Sequence, residues 1–222
     1  MSECAGENCD HSSHEKEKQM MTKLESIITP SDPTRWPLLE MPSQLCSLPL
    51  SPAEQDAIIQ MDQILDALDD EAAGLAAVQI GVPRRIFLLR NAIDENGKTI
   101  NTAYINPVIV AQSKETKKDN EACLSLPGMV ARFPRPKCIM LEYYDIYGNI
   151  QTQKFSGFFA RAVAHEINHL DGILITQHFS KEIAKQSRRT KYGMTLTEQK
   201  IKQINSRRTK NKLARKARKI NR

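Results

Sequence analysis

The sequence has 222 residues, 40% hydrophobic and 26% charged, a length that fits one compact domain with tails better than two full domains. Residues 181–222 contain 16 Lys/Arg against 2 Asp/Glu, whereas the rest of the chain contains 16 against 24. No segment is long and apolar enough to span a membrane, no secretory signal opens the chain, and five irregularly spaced cysteines are a poor disulfide framework. We therefore expect a soluble, cytoplasmic protein with an acidic body, a basic tail and no membrane partner.

The N-terminal part divides into three stretches. Residues 1–23 are polar and carry no hydrophobic period, which predicts a disordered lead before a folded domain at 24–180. Residues 30–52 contain six prolines, which predicts an extended segment. Ser51 then has the character of an N-cap and the apolar spacing that follows predicts an amphipathic helix over 52–70.

Strands dominate the middle of the chain, and helices lie near either end. Short runs rich in branched residues predict strands at 85–90, 104–110, 138–147 and 150–155, with turns at Asn96-Gly97 and Gly148-Asn149. A helix is predicted over 158–172, with Gly172 as its stop. This pattern indicates the α+β class.

The strongest chemical signal is the HExxH motif His165-Glu166-Ile167-Asn168-His169 on the predicted helix. Since successive residues turn by about 100°, the two histidines differ by only about 40° and leave one face. Glu166 is next to a ligand position and suits a general base in metal-dependent hydrolysis. The alternative is a chance match on a surface helix, because the motif is short.

A catalytic site of this type needs a third protein ligand. A third histidine at the usual downstream distance is missing, since His178 follows His169 by nine residues. Cys123, within the segment 121–128, is the better candidate. The alternative for a lone cysteine is a small hydrophobic core residue, and the spacing alone does not decide against it.

Three blocks in order give the chain a family resemblance. They are AAGLAAVQ at 72–79, EACLS at 121–125 and HEINHL at 165–170. The order and spacing resemble those of peptide deformylases, whose blocks read G-x-G-aliphatic-A-A-x-Q, E-G-C-L-S and H-E-x-D-H-L. The resemblance covers roughly residues 25–180, and three concordant blocks are far more specific than HExxH alone.

The resemblance implies a role for each matching residue. Cys123, His165 and His169 would bind the metal, and Glu166 would act as acid and base. The side chain of Gln79 and the backbone N–H of Leu124 would stabilise the oxyanion. The implied substrate contacts, mostly from main chain, are Gly74, Ala73 and Ala122. The implied fold has mixed or antiparallel strands around a central HExxH helix, with an N-terminal helix and a basic C-terminal helical tail.

The implied reaction is removal of the formyl group from the N-terminal formyl-methionine of nascent chains, with release of formate. The resemblance implies Fe(II) in the cell, with nickel, cobalt or zinc as substitutes. A methionine side chain needs an apolar pocket, for which Phe133, Val163 and Ile167 are candidate walls.

The sequence departs from the family pattern at three places. Ala72 and Ala122 replace glycines, which strains the backbone if φ is positive there and otherwise only narrows the pocket. Asn168 replaces an aspartate, which removes a charge near the metal ligands and could weaken metal binding.

The tail at 181–222 leaves two alternatives open. The resemblance suggests that this basic segment contacts the ribosome through ribosomal RNA, with a steep salt dependence; a solvated tail is the other interpretation. Two further hypotheses remain: a non-catalytic deformylase-like module that binds the ribosome, and another HExxH metallopeptidase. The latter explains His165 and His169 but not Cys123 or Gln79 in their blocks.

Overall fold

The computed structural model describes residues 24–68, 71–95, 97 and 99–178. The disordered lead predicted for 1–23 and the basic tail predicted for 181–222 lie outside the described residues. Within the described part of the chain, no helix is long and apolar enough to cross a membrane.

The structure gives bounds for two α-helices and seven strands in the described chain. In chain order they are α1 (Pro52–Leu68), β1 (Gly74–Ala76), β2 (Ile86–Ile93), β3 (Thr99–Gln112), β4 (Thr116–Ala122), β5 (Val130–Pro136), β6 (Cys138–Tyr144), β7 (Ile150–Ser156) and α2 (Gly157–Leu170). Short 3₁₀ helices occupy Trp36–Glu40, Ala77–Ile80 and Ile175–His178.

Every pair of neighbouring strands is antiparallel. Five strands form one sheet in the order β1-β2-β3-β6-β7, and β4 and β5 form a separate two-stranded sheet. The mixed helix and antiparallel-strand fold expected from the sequence is therefore confirmed. Because β1 lies at the edge of the larger sheet, one of its sides is not paired within that sheet.

Helix α1 begins with the predicted capping interaction. The backbone N–H of Ser51 donates to Glu54 Oε2 over 2.9 Å, and the Ser51 hydroxyl contacts the same oxygen at 2.8 Å. These bonds satisfy groups that a helix start leaves unpaired. The helix then buries an apolar stripe made of Ala57, Met61, Ile64, Leu65 and Leu68.

Helix α2 is buried on most sides, which explains its long apolar run. Its buried residues belong to a core with strands of the five-stranded sheet and with β5, and among them are Val163 and Ile167. The helix ends before Gly172, which has φ of 72°. A Cβ there would lie 2.7 Å from the carbonyl carbon of Met41, so glycine is required where the chain passes the N-terminal segment.

Asn106 joins the segment around Cys46 to the sheet, in a proline-rich stretch that is not extended throughout, since it contains the 3₁₀ helix Trp36–Glu40. Its side-chain amide bonds both backbone groups of Cys46, at 2.8 and 2.9 Å. Among non-glycine residues in the described part of the chain, Asn106 has the one positive φ, 48°. Asparagine tolerates this conformation better than most residues, so its side chain and its backbone both suit this irregular place in β3.

Three strands were missed by the sequence reasoning. β1 has only three residues, too few for a periodic signal. β4 (TKKDNEA) is exposed at all positions except Glu121, so its polar sequence looks like a loop. β5 alternates between buried and exposed residues as a strand should, but it contains two prolines, which argue against a strand. The prolines are tolerated because β5 has only one strand neighbour.

Candidate active site

Helix α2 brings together the residues of the HExxH motif. His165, Glu166 and His169 all lie on it and are buried, with 7%, 4% and 1% of their surface exposed. The two imidazole rings are 4.8 Å apart between centroids, as expected for residues that leave one helix face. The motif is therefore not a chance match on an exposed helix.

Cys123 follows strand β4 and meets both histidines. Its Sγ lies 3.2 Å from His169 Nε2, and one ligand atom each from Cys123, His165 and His169 lie within 4.8 Å of one another. A thiolate and two imidazoles form a donor set that suits several first-row metal ions and leaves room for a further ligand. The residues present therefore fit a catalytic metal ion.

Glu121 orients His165, a role that the sequence reasoning missed. Its Oε1 lies 2.7 Å from His165 Nδ1, which leaves Nε2 of that ring for a cation. Burial alone would raise the pKa of Glu121, but hydrogen bonds from His165 and Arg135 outweigh it and lower the pKa to about 2. The sequence holds no local signal for this contact, because the polar sequence of β4 looks like a loop and the two residues are 44 apart.

Two arginines hold Glu121 in place. Arg135 donates from Nη2 to Oε1 over 2.7 Å and from Nε to Oε2 over 3.1 Å, and Arg161 donates from Nη1 to Oε2 over 3.2 Å. The Nη1 group of Arg135 also donates to Asn168 Oδ1. Asn168 thus keeps an acceptor oxygen where the family pattern has aspartate, while the negative charge is lost.

The histidines differ in their proton affinity. Burial lowers the pKa of His169 well below 6.5, so its imidazole is neutral and keeps a lone pair for a cation. Burial acts in the same direction on His165, but contacts with Cys123 and Glu121 outweigh it and raise the pKa of His165 well above 6.5. A cation that binds His165 therefore displaces a proton.

Glu166 is a buried carboxyl beside the cluster. Its Oε2 has no hydrogen-bond partner among the described residues. Burial raises the pKa of Glu166 to about 7, against the opposing effect of the His165 charge. A carboxyl with such a pKa can both accept and donate a proton near neutral pH.

Gln79 lies on the other side of Cys123 and is held at both ends of its amide. The backbone N–H of Ala76 donates to Gln79 Oε1 over 2.8 Å. Gln79 Nε2 donates to Ser125 Oγ over 3.1 Å and lies 3.8 Å from Cys123 Sγ. The amide N–H₂ therefore points towards the cysteine and not into solvent.

A cavity of about 620 Å³ opens onto this cluster. Its lining includes Cys123, His165, Glu166, Gln79 and Leu124, together with the three residues for which substrate contacts were expected, Ala73, Gly74 and Ala122. Eight of the nine sequence-predicted site residues thus line one cleft. The ninth, His169, has 1% of its surface exposed and reaches the cluster through its contact with Cys123.

The walls of the cavity differ from those expected. Phe133, Val163 and Ile167 belong to the core and do not line the cavity. Its apolar lining includes Phe158, Phe159 and Ala162 of helix α2, together with Ile93 and Leu124. Val163 and Ile167 are each two residues from His165 and leave the opposite face of the helix, and Phe133 packs into the same core from β5.

The alanines that replace family glycines are unstrained. Ala72 and Ala122 both line the cavity, and neither has a positive φ, since Asn106 is the non-glycine residue with that conformation in the described chain. Of the two interpretations of these substitutions, the structure supports a narrower pocket and not a strained backbone.

The fold and this cluster define the class of metal-dependent hydrolases. The model of the polypeptide deformylase family matches residues 34–185, and the chain belongs to that family. The family membership predicted from the three blocks is therefore confirmed. The prediction that the chain is an enzyme, a peptide deformylase, is confirmed with it. The family is metal-dependent and acts on N-formyl peptides.

Individual relatives agree with this assignment. The chain is 40% identical to a peptide deformylase of Rhodopseudomonas palustris over 121 residues, which cover 54% of this chain and 69% of the relative. It is 35% identical to the peptide deformylase of Rhizobium meliloti over 149 residues, covering 65% and 85% of the two chains.

Solved structures give the same result. Peptide deformylase of Ehrlichia chaffeensis in complex with actinonin aligns with a TM-score of 0.61 at 31% identity, covering 72% of this chain and 91% of that one. An inhibitor complex of the Plasmodium falciparum enzyme aligns with a TM-score of 0.61 at 27% identity, covering 73% and 94%.

Proposed function

We propose that Cys123, His165 and His169 hold one divalent metal ion and that Glu166 is the acid and base of formyl-peptide hydrolysis in this chain. The observation that carries the proposal is the convergence of three buried ligand atoms beside a buried carboxyl with an unpartnered oxygen. The catalytic domain would comprise residues 24–180.

The ion itself is proposed as Fe(II), with nickel, cobalt or zinc as substitutes, because a thiolate with two imidazoles suits several first-row ions. When bound, such an ion supplies Lewis acidity and lowers the pKa of water near it. The residues that surround it determine the rest of the reaction.

Glu166 would move the protons. In its carboxylate form, Oε2 accepts the proton of the water that attacks the formyl carbon, since that oxygen has no competing partner in the described chain. The same carboxyl then protonates the leaving amine, which releases formate and a free N-terminus. Its pKa of about 7 suits both steps.

Gln79 and Leu124 would stabilise the negative charge that develops on the formyl oxygen. The Gln79 amide is held by Ala76 and Ser125, so its donor is oriented before the substrate arrives. A preorganised donor of this kind contributes roughly 10²–10³ in rate. The backbone N–H of Leu124, next to the metal ligand Cys123, would be the second donor.

The peptide would lie along the edge of strand β1. Ala73 and Gly74 line the cavity at this edge, and Ala122 faces it from the end of β4. An extended peptide can pair with an unpaired strand edge through its main chain, while its methionine side chain enters the apolar part of the cavity beside Phe158 and Ala162.

The basic segment 181–222 would bring the enzyme to nascent chains in the cytoplasm. Its 16 Lys/Arg suit contacts with the phosphates of ribosomal RNA, which weaken steeply as salt rises. Cosedimentation with ribosomes, at two salt concentrations and with and without this segment, tests the idea. Equal pelleting of both chains would contradict it.

Replacement of Glu166 tests the central assignment. Glu166→Ala should lose at least about 10²-fold in kcat for a formyl-methionyl peptide, while one metal ion per chain stays bound. Glu142→Ala is a matched control, since Glu142 lies exposed on β6. Activity of Glu166→Ala equal to that of the control would remove Glu166 from the role proposed.

A further inference from the structure

Arg161 occupies an unexpected place in the cavity wall. It precedes His165 by four residues on helix α2, so both side chains leave the same face, and both line the cavity. The Arg161 side chain is only 9% exposed. A pocket for a methionine side chain needs apolar walls, so binding of that side chain does not explain an arginine here. A buried guanidinium is also unfavourable unless it is well paired.

The contacts of Arg161 tie helix α2 to both strands of the small sheet. Its Nη2 donates to the carbonyl of Lys117 in β4 over 2.6 Å, and its Nη1 donates to the carbonyl of Phe133 in β5 over 3.2 Å. The same Nη1 donates to Glu121 Oε2 over 3.2 Å. Arg161 therefore fixes the helix that carries His165 relative to the strand that carries Glu121.

A second arginine does not make Arg161 redundant. Arg135 binds Glu121 from β5, the neighbouring strand, and so holds the carboxylate relative to the small sheet. Arg135 also donates to Asn168 Oδ1 on helix α2, three residues after His165. Arg161 bonds Glu121 from the helix itself, one turn before His165, so the two arginines hold the carboxylate from different elements.

We propose that Arg161 is a positioning residue: from the cavity wall it holds Glu121 in the orientation in which Oε1 fixes His165 Nδ1. The inference rests on the proposed function in one respect, that His165 is a metal ligand. Because Arg161 acts through Glu121 and His165, its loss changes how the metal is held and how fast the bound substrate reacts.

The test compares Arg161→Met with Arg161→Lys and with Arg85→Met. Arg85 is a matched control because it also anchors helix α2, through Leu170 O at 3.3 Å and Asp171 Oδ1 at 2.8 Å, but at the end away from Glu121. Each full-length protein is loaded with Co(II), and the release of Co(II) to a chelator and its visible spectrum are measured.

We expect Arg161→Met to release Co(II) about 10-fold faster than the wild type, the lower end of what loss of such partners causes, with a changed spectrum. Arg161→Lys should fall between the two, since an ammonium keeps the charge but not the fork of donors. Arg85→Met should keep the wild-type rate and spectrum. Equal release rates and spectra for Arg161→Met and Arg85→Met would overturn the proposal.

Two further readouts separate positioning from folding and from the reaction itself. The Glu121 carboxylate keeps its Arg135 partner in Arg161→Met, so this variant should fold. If it does not fold, Arg161→Lys provides the test. Arg161→Lys must then release Co(II) faster than Arg85→Met, and an equal rate would overturn the proposal. With formyl-Met-Ala-Ser, kcat of the Arg161 variants should fall more than KM rises. A wild-type protein that binds Co(II) but releases no formate would contradict the proposed function alone.

Discussion

The Oε1 oxygen of Glu166 lies 2.9 Å from the position that a Cβ atom would take on Gly74. The same Cβ would lie 2.9 Å from the carbonyl oxygen of Leu88, a backbone atom of the neighbouring strand that cannot move away cheaply. Gly74 therefore leaves room for the proposed acid and base, in addition to the approach of substrate expected from the sequence.

Substitution of Gly74 should impair catalysis through Glu166. Gly74→Ala displaces the carboxyl or strand β1, and a shift near 1 Å in a reacting group can reduce rate by about 10²-fold. We expect a kcat for a formyl-methionyl peptide reduced to that extent, with one metal ion still bound. Wild-type kcat for Gly74→Ala, measured beside metal content, would show that the close contact has no bearing on the reaction.

The alanines at 72 and 122 should behave differently from Gly74. Ala122→Gly widens the cavity without relieving strain, because φ is not positive there. It should cost up to about 1 kcal/mol in the free energy of unfolding, with the change in activity appearing in KM and in the preference among substrate side chains. A gain in stability on urea unfolding would mean that the alanine was strained.

Asn168 offers a test of charge near the metal ligands. Asn168→Asp restores the family residue beside Arg135, and we expect metal to be held as tightly or more tightly. Asn168→Ala removes the acceptor and should release metal faster, by up to about 10-fold. Competition with a chelator measures both. Identical metal affinity in the three proteins would show that the Arg135 contact does not reach the ligands.

The double contact of Asn106 with Cys46 should be visible in stability. Asn106→Gly keeps the positive φ but loses both hydrogen bonds, at a cost of about 1–3 kcal/mol. Asn106→Ala loses the bonds and adds strain of roughly 1 kcal/mol. Urea unfolding should therefore rank wild type above Asn106→Gly and Asn106→Ala lowest; the reverse order of the two variants would argue against strain.

Acid should destabilise the start of helix α1. Burial raises the pKa of Glu54, but bonds from Ser51, together with Cys46 and Arg84, outweigh it and lower the pKa below 4.5. The stabilisation is therefore present above pH 4.5 and is lost as pH falls through the lowered pKa. Glu54→Gln should show a shallower loss of unfolding free energy below pH 4.5 than the wild type; parallel curves would contradict this.

What the sequence could predict followed from signals that lie close together along the chain. The cap at Ser51 and Glu54 is a pattern of four consecutive residues, and the two histidines are one helical turn apart, so local geometry determines both. Cys123 could be placed only through the three family blocks, since nothing local distinguishes a ligand from a buried cysteine.

The remaining features depend on contacts between distant segments. The bond between Glu121 and His165 spans 44 residues. Arg161 contacts both strands of the small sheet, and the sequence predicts neither of these two strands. The walls of the cavity likewise depend on which distant segments meet beside helix α2, among them residues 72–74, 90–93 and 120–124.

The most direct test of the account is formate release by the full-length protein. Loaded with Fe(II) under anaerobic conditions, it should release formate and free amine from formyl-Met-Ala-Ser in equal amounts, lose this activity after chelation and regain it when metal is returned. A protein that holds one metal ion per chain through Cys123, His165 and His169 and yet releases no formate would contradict the account.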